Sequence, residues 1–259
     1  MHQNSFYDRR IKPTRRMLSV GLQQPGALFS KREYILLISH MRGYTSVLSH
    51  IVGSHEEVSG YSELHIPYRR GLDFYYMRGK VFRDNQKQLP GRYVFDKVLH
   101  NRWEVRQPIM DRDDVHLLFM LRKPEDTLRS LLHMPTIFNL KPNLARSAAY
   151  YVNRMTQLRK MGEIAKGRAI YLDGEDLIQD SEGTLKRISE YIGLEKPLSE
   201  EYQTFQRTGR PGAGDPSDYI KQGKIVRDRE AHEEFEIPER ERQLLNRAYE
   251  KCREVLMEL

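Results

Sequence analysis

Two stretches of the chain are apolar almost without alternation, Tyr34–Ile38 (YILLI) and Val115–Leu121 (VHLLFML). Runs of this length and composition belong to strands buried on both faces. Tyr93–Leu99 and Ala169–Leu172 read as further strands, and Val58–Tyr61 as a short one. Between them the period changes to that of helices. From Ser46 onward, Val47, Leu48, Ile51 and Val52 line one helical face, and residues 67–79 read as a helix with Pro67 tolerated in its first turn. Arg122 to Asp126 open a helix through Leu128, Leu131 and Leu132, with Pro124 and the acidic pair behind it suited to a first turn. Leu144–Lys166 repeats apolar residues at Leu144, Ala148, Tyr151, Val152, Met155, Leu158 and Ile164. Thr184–Ile192 is a helix stopped by Gly193, and Pro238–Leu256 closes the chain. Residues 85–92 and 102–108 read as turn and loop, and 207–224 as a long Gly- and Pro-rich loop, usually functional or disordered. Strands alternating with helices predict an α/β fold, a mostly parallel sheet with helices on both faces. Residues 1–33 read as an irregular basic arm before a single domain over 34–259.

Composition narrows the function classes. A chain of 259 residues can bury a substantial core, and 39% hydrophobic with 31% charged residues is the balance of a soluble globular protein. No run approaches the length of a membrane span, and the N-terminal residues lack the apolar centre of a signal peptide. The expected compartment is the cytoplasm. Cys252 is the single cysteine, so neither an internal disulfide nor a cysteine-rich metal site can form. His55, His65, His116 and His133 show no paired ligand spacing, and no metal is invoked. A net charge of +7 fits either a solvated basic surface or a cleft for a polyanion. Nucleic acid is disfavoured, because no helix-turn-helix, zinc-finger or RNP-like pattern occurs and the cations are spread along the chain.

Residues 34–54 concentrate the candidate chemistry. A buried strand runs into the loop Ser39–Thr45, which carries Arg42, Gly43, Tyr44 and Thr45, and a helix starts at Ser46. This order aims backbone N–H groups and the positive end of a helix at an anion. The nucleotide-triphosphatase pattern G-x-x-x-x-G-K-[ST] is absent: no lysine follows Gly43 or Gly53. The stretch resembles instead the 5′-phosphosulfate loop of sulfotransferases that use 3′-phosphoadenosine-5′-phosphosulfate (PAPS). Met41-Arg42-Gly43-Tyr44-Thr45-Ser46 takes the six positions of their Pro-Arg-Ser-Gly-Ser-Thr loop, and Gly53-Ser54-His55 those of a following Gly-x-His. Arg42, Thr45 and Ser46 match in kind, whereas the glycine is displaced: Tyr44 stands where Gly is usual.

Three later segments extend the resemblance to about residues 34–226. Arg122 ends a central strand with Ser130 eight residues on, the spacing of the family's 3′-phosphate ligands. Asp173–Leu194 is similar to the family's Tyr-Glu-Asp-Leu segment and following helix, with Gly174 in place of the Tyr and Glu175-Asp176-Leu177 as supports rather than contacts. Gly214-Asp215-Pro216 through Lys221, Gly223 and Lys224 looks like the bacterial closing loop. The resemblance implies a P-loop-like sulfotransferase fold and sulfuryl transfer from PAPS, without a metal, to a hydroxyl or, less expected, an amine of a small organic acceptor such as a natural product. It implies PAPS contacts at Arg42, Gly43, Tyr44, Thr45, Ser46, Arg122, Ser130, Lys221, Gly223 and Lys224, with Arg42 and Lys97 supplying charge to the sulfuryl group. Two residues compete as base, His100 at the end of a strand and Glu63 after the first helix. Tyr61, Tyr68, Phe74, Tyr75, Trp103 and residues 134–140 are candidates for the acceptor pocket. Two other readings stay open: a phosphoryl-transfer enzyme of P-loop type, and a nucleotide- or polyanion-binding module without activity.

Overall fold

A computed structural model describes residues 30–85, 88–134, 140–206, 208–209, 218–227 and 236–259, together with Gly26. Among these, strands β1 (Glu33–Ile38), β2 (Val58–Ser59), β3 (Tyr93–Val98), β4 (Val115–Leu121) and β5 (Ala169–Asp173) form one parallel sheet in the spatial order β2-β3-β1-β4-β5. The helices are α1 (Thr45–Ser54), α2 (Leu72–Asp84), α3 (Gln107–Met110), α4 (Pro124–Leu132), α5 (Leu144–Ala165), α6 (Asp176–Gln179), α7 (Ser181–Ile192) and α8 (Glu239–Leu256). A 3₁₀ turn spans Asp218–Gln222. No helix among the described residues is long and apolar enough to cross a membrane.

The unalternating run of β1 is explained by its central place. Successive side chains of a strand point to opposite faces, and both faces here are covered. Leu36 and Ile38 enter the core shared with α2, α5 and α8, while Ile35 and Leu37 enter the one shared with α1 and α7. All four are 0% exposed, and each buried side chain of this size contributes about 1.5–3 kcal/mol. Leu37→Ala would therefore cost about 2–5 kcal/mol, transfer and cavity together.

The topology also fixes where a ligand can sit. From β1 the chain runs outward to β2, returns to β3, then crosses to β4 on the other side of β1. The direction of winding reverses beside β1, and open α/β sheets bind ligands at the carboxyl ends of strands at such a switch point. Ile38 of β1 lies level with Val98 of β3 and Phe119 of β4. The segments leaving these three strands, beginning at Ser39, Leu99 and Arg122, therefore converge at one edge.

Several element boundaries differ from the pattern-based reading. The helix expected over residues 67–79 is α2, beginning only at Leu72. Tyr68 pairs with Val105 in an isolated parallel bridge, and the Asp73 carboxylate accepts from the backbone N–H groups of Arg69 (2.8 Å) and Arg70 (3.0 Å), holding a turn ahead of the helix. That bridge and α3 also give structure to the segment read as a loop at 102–108. At α7 the Asp180 side chain accepts from Gly183 N–H at 3.2 Å, so the helix starts three residues before Thr184. Of the basic arm, only Gly26 and residues 30–33 are described. The Arg32 guanidinium donates to the carbonyls of Leu89 and Gly91 and ties that end of the arm to the turn before β3.

Candidate active site

The loop after β1 is built from polar groups whose hydrogen bonds leave little freedom. Ser39 Oγ donates to Met120 O on β4 at 2.6 Å. Arg122 N–H donates to His40 Nε2 at 3.0 Å, so the proton of this imidazole is on Nδ1, which donates to Met41 O at 2.9 Å. Burial lowers the His40 pKa to about 3, keeping the ring neutral and this tautomer fixed. Met41 N–H donates to the Tyr150 hydroxyl (2.7 Å), which donates to Leu99 O (3.0 Å), joining the exits of β1 and β3 through α5.

The displaced glycine now has a physical account. Arg42 and Tyr44 both lie in the left-handed region, with φ of 63° and 59°, while Gly43 between them does not. What Gly43 supplies is room. A Cβ there would stand 3.1 Å from both His40 Cε1 and Ser39 Oγ. At Tyr44 the conformation that usually favours glycine is held by a ring that packs on the Arg122 guanidinium, 4.2 Å from Cζ to centroid. Gly174 makes space for that ring: a Cβ at 174 would approach Tyr44 Cδ2 to 3.2 Å and Leu121 O to 2.8 Å.

Around this loop the two stretches singled out as phosphate ligands meet. Arg42 Nε donates to Ser130 Oγ at 2.7 Å across a sequence separation of 88 residues. Arg122 Nη1 donates to Arg42 O at 3.0 Å, and the Tyr151 hydroxyl to Arg122 O at 2.9 Å. Arg122 Nε is buried with no hydrogen-bond partner among the described residues. Thr45 and Ser46 begin α1, whose first turn holds no acidic residue, so no side chain there offsets the positive end of its dipole. Two guanidiniums thus lie next to each other beside the start of α1, an arrangement suited to an anion bearing several phosphate-like groups. Glu175 Oε1 accepts from Lys123 N–H at 3.0 Å and steadies the β4–α4 turn, the supporting place expected for it.

A second group of titratable side chains stands at the exit of β3. Asp96 is fully buried and anchors it: Oδ1 accepts from the N–H groups of Leu64 and Lys97, both at 2.8 Å, and Oδ2 from the Tyr68 hydroxyl at 2.5 Å. Burial raises its pKa to about 7, against those hydrogen bonds. Glu63, next to the clamped Leu64, is likewise raised to about 7 by burial, which outweighs the cations of Lys97 and Arg154. His100 is lowered to about 4 by burial, with Arg154 and His65 adding to the effect. Glu63 Oε1 lies 3.6 Å from His100 Nε2 and 3.5 Å from His65 Nε2. Lys97 is 3% exposed, its Nζ 3.5 Å from Ser49 Oγ on α1, so its charge lies between β3 and α1. The structure therefore brings Glu63 and His100 together and sets Lys97 beside them.

Arg154 is a buried cation beneath the candidate site that the motifs did not single out. Fully buried on α5, it donates Nε–H to Ser39 O (2.8 Å), Nη2–H to Val98 O (2.6 Å) and Nη1–H to Asn101 Oδ1 (3.0 Å). It closes the carbonyl ends of β1 and β3 and places a permanent charge under the site. The signal was present in the sequence, since position 154 is three residues after Tyr151 and four before Leu158 on the apolar face of the long helix.

The acceptor-pocket candidates do not share one place. Tyr68 is 0% exposed and donates to Asp96, so its role is to hold that carboxyl rather than to touch a substrate. Phe74 is also buried, stacked on Tyr34 (3.8 Å between centroids) at the entry end of β1, away from the strand exits. Trp103 is half-buried, with His65 against it at 5.8 Å, and so flanks the Glu63 group. Tyr61 stacks on Phe205 at 4.0 Å, beside a cavity of about 30 Å³. That volume holds about one water and no organic acceptor. Residues 135–139 lie outside the described residues.

The late loop is described only in part, Gly214-Asp215-Pro216 lying outside. Lys221 Nζ pairs with Asp218 at 2.7 Å, Gly223 (φ 70°) gives its carbonyl to Tyr202 N–H at 2.7 Å, and the backbones of Lys224 and Glu201 form an isolated antiparallel β-bridge. The segment before it docks on α1 through Thr208 Oγ1, 2.8 Å from His50 Nε2, and through Gln203 N–H on Ser54 Oγ at 2.8 Å.

No protein-family model matches the chain, and no curated protein matches it by sequence. Solved structures do match. The sulfotransferase domain from the curacin biosynthetic pathway aligns with a TM-score of 0.55 at 12% identity, over 85% of this chain and 99% of that one. The sulfotransferase domain from the Synechococcus PCC 7002 olefin synthase aligns with a TM-score of 0.60 at 15% identity, over 85% and 94%. This chain has the sulfotransferase fold. Within the sulfotransferase fold, the strand exits described above carry the two arginines, Ser130 and the Glu63 group.

Proposed function

We propose that the protein is a PAPS-dependent sulfotransferase acting on a hydroxyl of a small organic acceptor. The observation that carries this reading is the Arg42–Ser130 hydrogen bond at 2.7 Å, with Arg122 on the Arg42 carbonyl. Three residues singled out for the two ends of one bisphosphorylated nucleotide stand together, and Arg122 keeps a buried donor for a ligand oxygen. Ser130 and Arg122 would hold the 3′-phosphate. Arg42, Thr45, Ser46 and the start of α1 would receive the 5′-phosphosulfate. Lys221, Gly223 and Lys224 are kept in this reading as the closing segment.

Glu63 is the better base of the two candidates. Its pKa of about 7 suits proton abstraction near neutrality, whereas His100, at about 4, is a weak base there. In the transfer step Glu63 takes the acceptor hydroxyl proton as the acceptor oxygen forms its bond to sulfur and the bond from sulfur to the bridging phosphate oxygen breaks. The negative charge gained by the leaving 5′-phosphate is met by Arg42 and the α1 start, with Lys97 lending charge to the sulfuryl oxygens.

Calorimetric titration with 3′-phosphoadenosine-5′-phosphate, the desulfonated product, tests the nucleotide site, with ATP as control. Tight binding that weakens about ten- to a hundredfold in Arg122→Ala is expected from the loss of a charged hydrogen-bond donor. Absence of binding, or a preference for ATP with Mg²⁺, overturns the reading.

A further inference from the structure

We propose that Glu63, His65 and His100 form a binding site for one divalent transition-metal ion of the zinc or cobalt type, whose occupancy blocks Glu63 as a base. Glu63 and His65 stand two apart in the sequence, and His100 reaches them from the exit of β3. One ligand atom from each of the three lies within 4.8 Å of the others, and the two edges to Glu63 Oε1 are 3.5 Å and 3.6 Å. Metal–ligand bonds of about 2.0–2.1 Å in tetrahedral geometry separate ligand atoms by about 3.3 Å, so these two edges need only a few tenths of an ångström of closure. Two imidazoles and a carboxylate are a donor set that zinc and cobalt accept, leaving a fourth position open.

The local backbone holds these groups in place. His65 has φ 57°, a left-handed conformation uncommon for its residue type, two residues from Glu63. Leu64 between them is clamped from both sides, its N–H on Asp96 Oδ1 and its carbonyl on Lys80 Nζ. The rings of His65 and His100 lie nearly parallel, 11° apart in plane, with centroids 6.4 Å apart. Each ring offers its in-plane Nε2 toward Glu63 Oε1, and His65 is exposed, so an ion can enter from solvent. Lys97 and Arg154 act on Glu63 with like charge to the ion and set a limit on affinity. His100, held neutral at pH 7, offers a lone pair without first losing a proton.

Binding is independent of the sulfotransferase reading; only the inhibition rests on it. The full chain, stripped with EDTA and exchanged into chelator-free buffer, is titrated with Co²⁺ and followed by visible absorption. One equivalent is expected to give the intense bands of a four- or five-coordinate site. His65→Asn, chosen because Asn tolerates the left-handed backbone, should weaken binding at least tenfold, with a melting curve confirming the fold. His2, outside the described residues, is controlled by His2→Ala, which should bind like wild type. No bands, equal binding by His65→Asn, or loss of binding in His2→Ala would each sink the site. Product-nucleotide titration run in parallel separates the two conclusions, because nucleotide binding without cobalt binding removes the metal site and leaves the transferase reading standing.

Discussion

Glu63→Gln isolates the electrostatic cost of keeping a base in a buried position. Its carboxyl titrates near 7 in the fold, against an ordinary value of 4.5. At about 1.4 kcal/mol per tenfold in proton affinity, the ionised form costs the folded state about 3 kcal/mol. The sign follows from which state binds the proton more tightly. Below pH 4.5 both states are protonated and there is no penalty. Between 4.5 and 7 only the unfolded chain ionises, so stability falls, and above about pH 7 the full cost is present. Glutamine keeps the shape and removes the titration. The variant should therefore gain about 2–3 kcal/mol over wild type at pH 8 and less than about 1 kcal/mol at pH 5, measured by urea unfolding at both. Removing the Glu63 charge also relieves Asp96, whose proton affinity it raises, and that adds to the gain at pH 8. Transferase activity should fall at the same time. A variant less stable than wild type at pH 8 would refute the reasoning. It would mean that Lys97 and Arg154 hold Glu63 as a paired carboxylate, unsuited to take a proton near neutrality.

Other substitutions test separate parts of the site. Turnover should rise with pH through about 7 and then level if Glu63 is the base; a profile flat from pH 5 upward would transfer that role to His100. Arg154→Met strands Ser39 O, Val98 O and Asn101 Oδ1 and should cost about 3–5 kcal/mol, read by urea denaturation or, if the fold fails, by loss of soluble protein. Ser130→Ala should weaken product-nucleotide binding about fivefold, one hydrogen bond's worth, and lower stability by about 1–2 kcal/mol through loss of the acceptor of the Arg42 Nε–H. Gly43→Ala should lower stability by about 1–2 kcal/mol, because the added methyl presses on His40 and, through it, on the Arg122 N–H. An unaltered melting curve there would mean that the loop yields where the geometry says it cannot.

The strands were the most legible part of the molecule. Val115–Leu121 is β4 to the residue, and Tyr34–Ile38 falls one residue short of β1, because burial on both faces writes an unbroken apolar run. Boundaries set by a single side chain were not legible: Asp73 and Asp180 each shift a helix start by bonding to backbone N–H groups that no periodicity reports. Arg42, Arg122 and Ser130 were singled out only through the family resemblance, and the structure brings them within hydrogen-bond reach, Arg42 on Ser130 and Arg122 on the Arg42 carbonyl. The carboxyl anchor Asp96 and the cation Arg154 could not be assigned their work. Each acts through a partner far along the chain, Leu64 for Asp96 and Ser39 for Arg154. His40 and Tyr150 fix the loop from within, and no sequence spacing points to either. Tyr68 shows the converse error, since an aromatic with a hydroxyl looks the same in sequence whether it lines a pocket or braces a buried acid.

The packing of Tyr44 against Gly174 makes the two positions one heritable unit. A side chain at 174 and a ring at 44 compete for one volume, so neither position can drift alone. Starting from a small residue at 44 and a large one at 174, a lineage that gains the ring first meets a steric collision with Leu121 and the side chain at 174. A lineage that loses the side chain at 174 first passes only through a void. The order in which the exchange could occur is thus written in the fold, and any side chain at 174 also needs the backbone at Leu121 O, 2.8 Å from its Cβ, to give way.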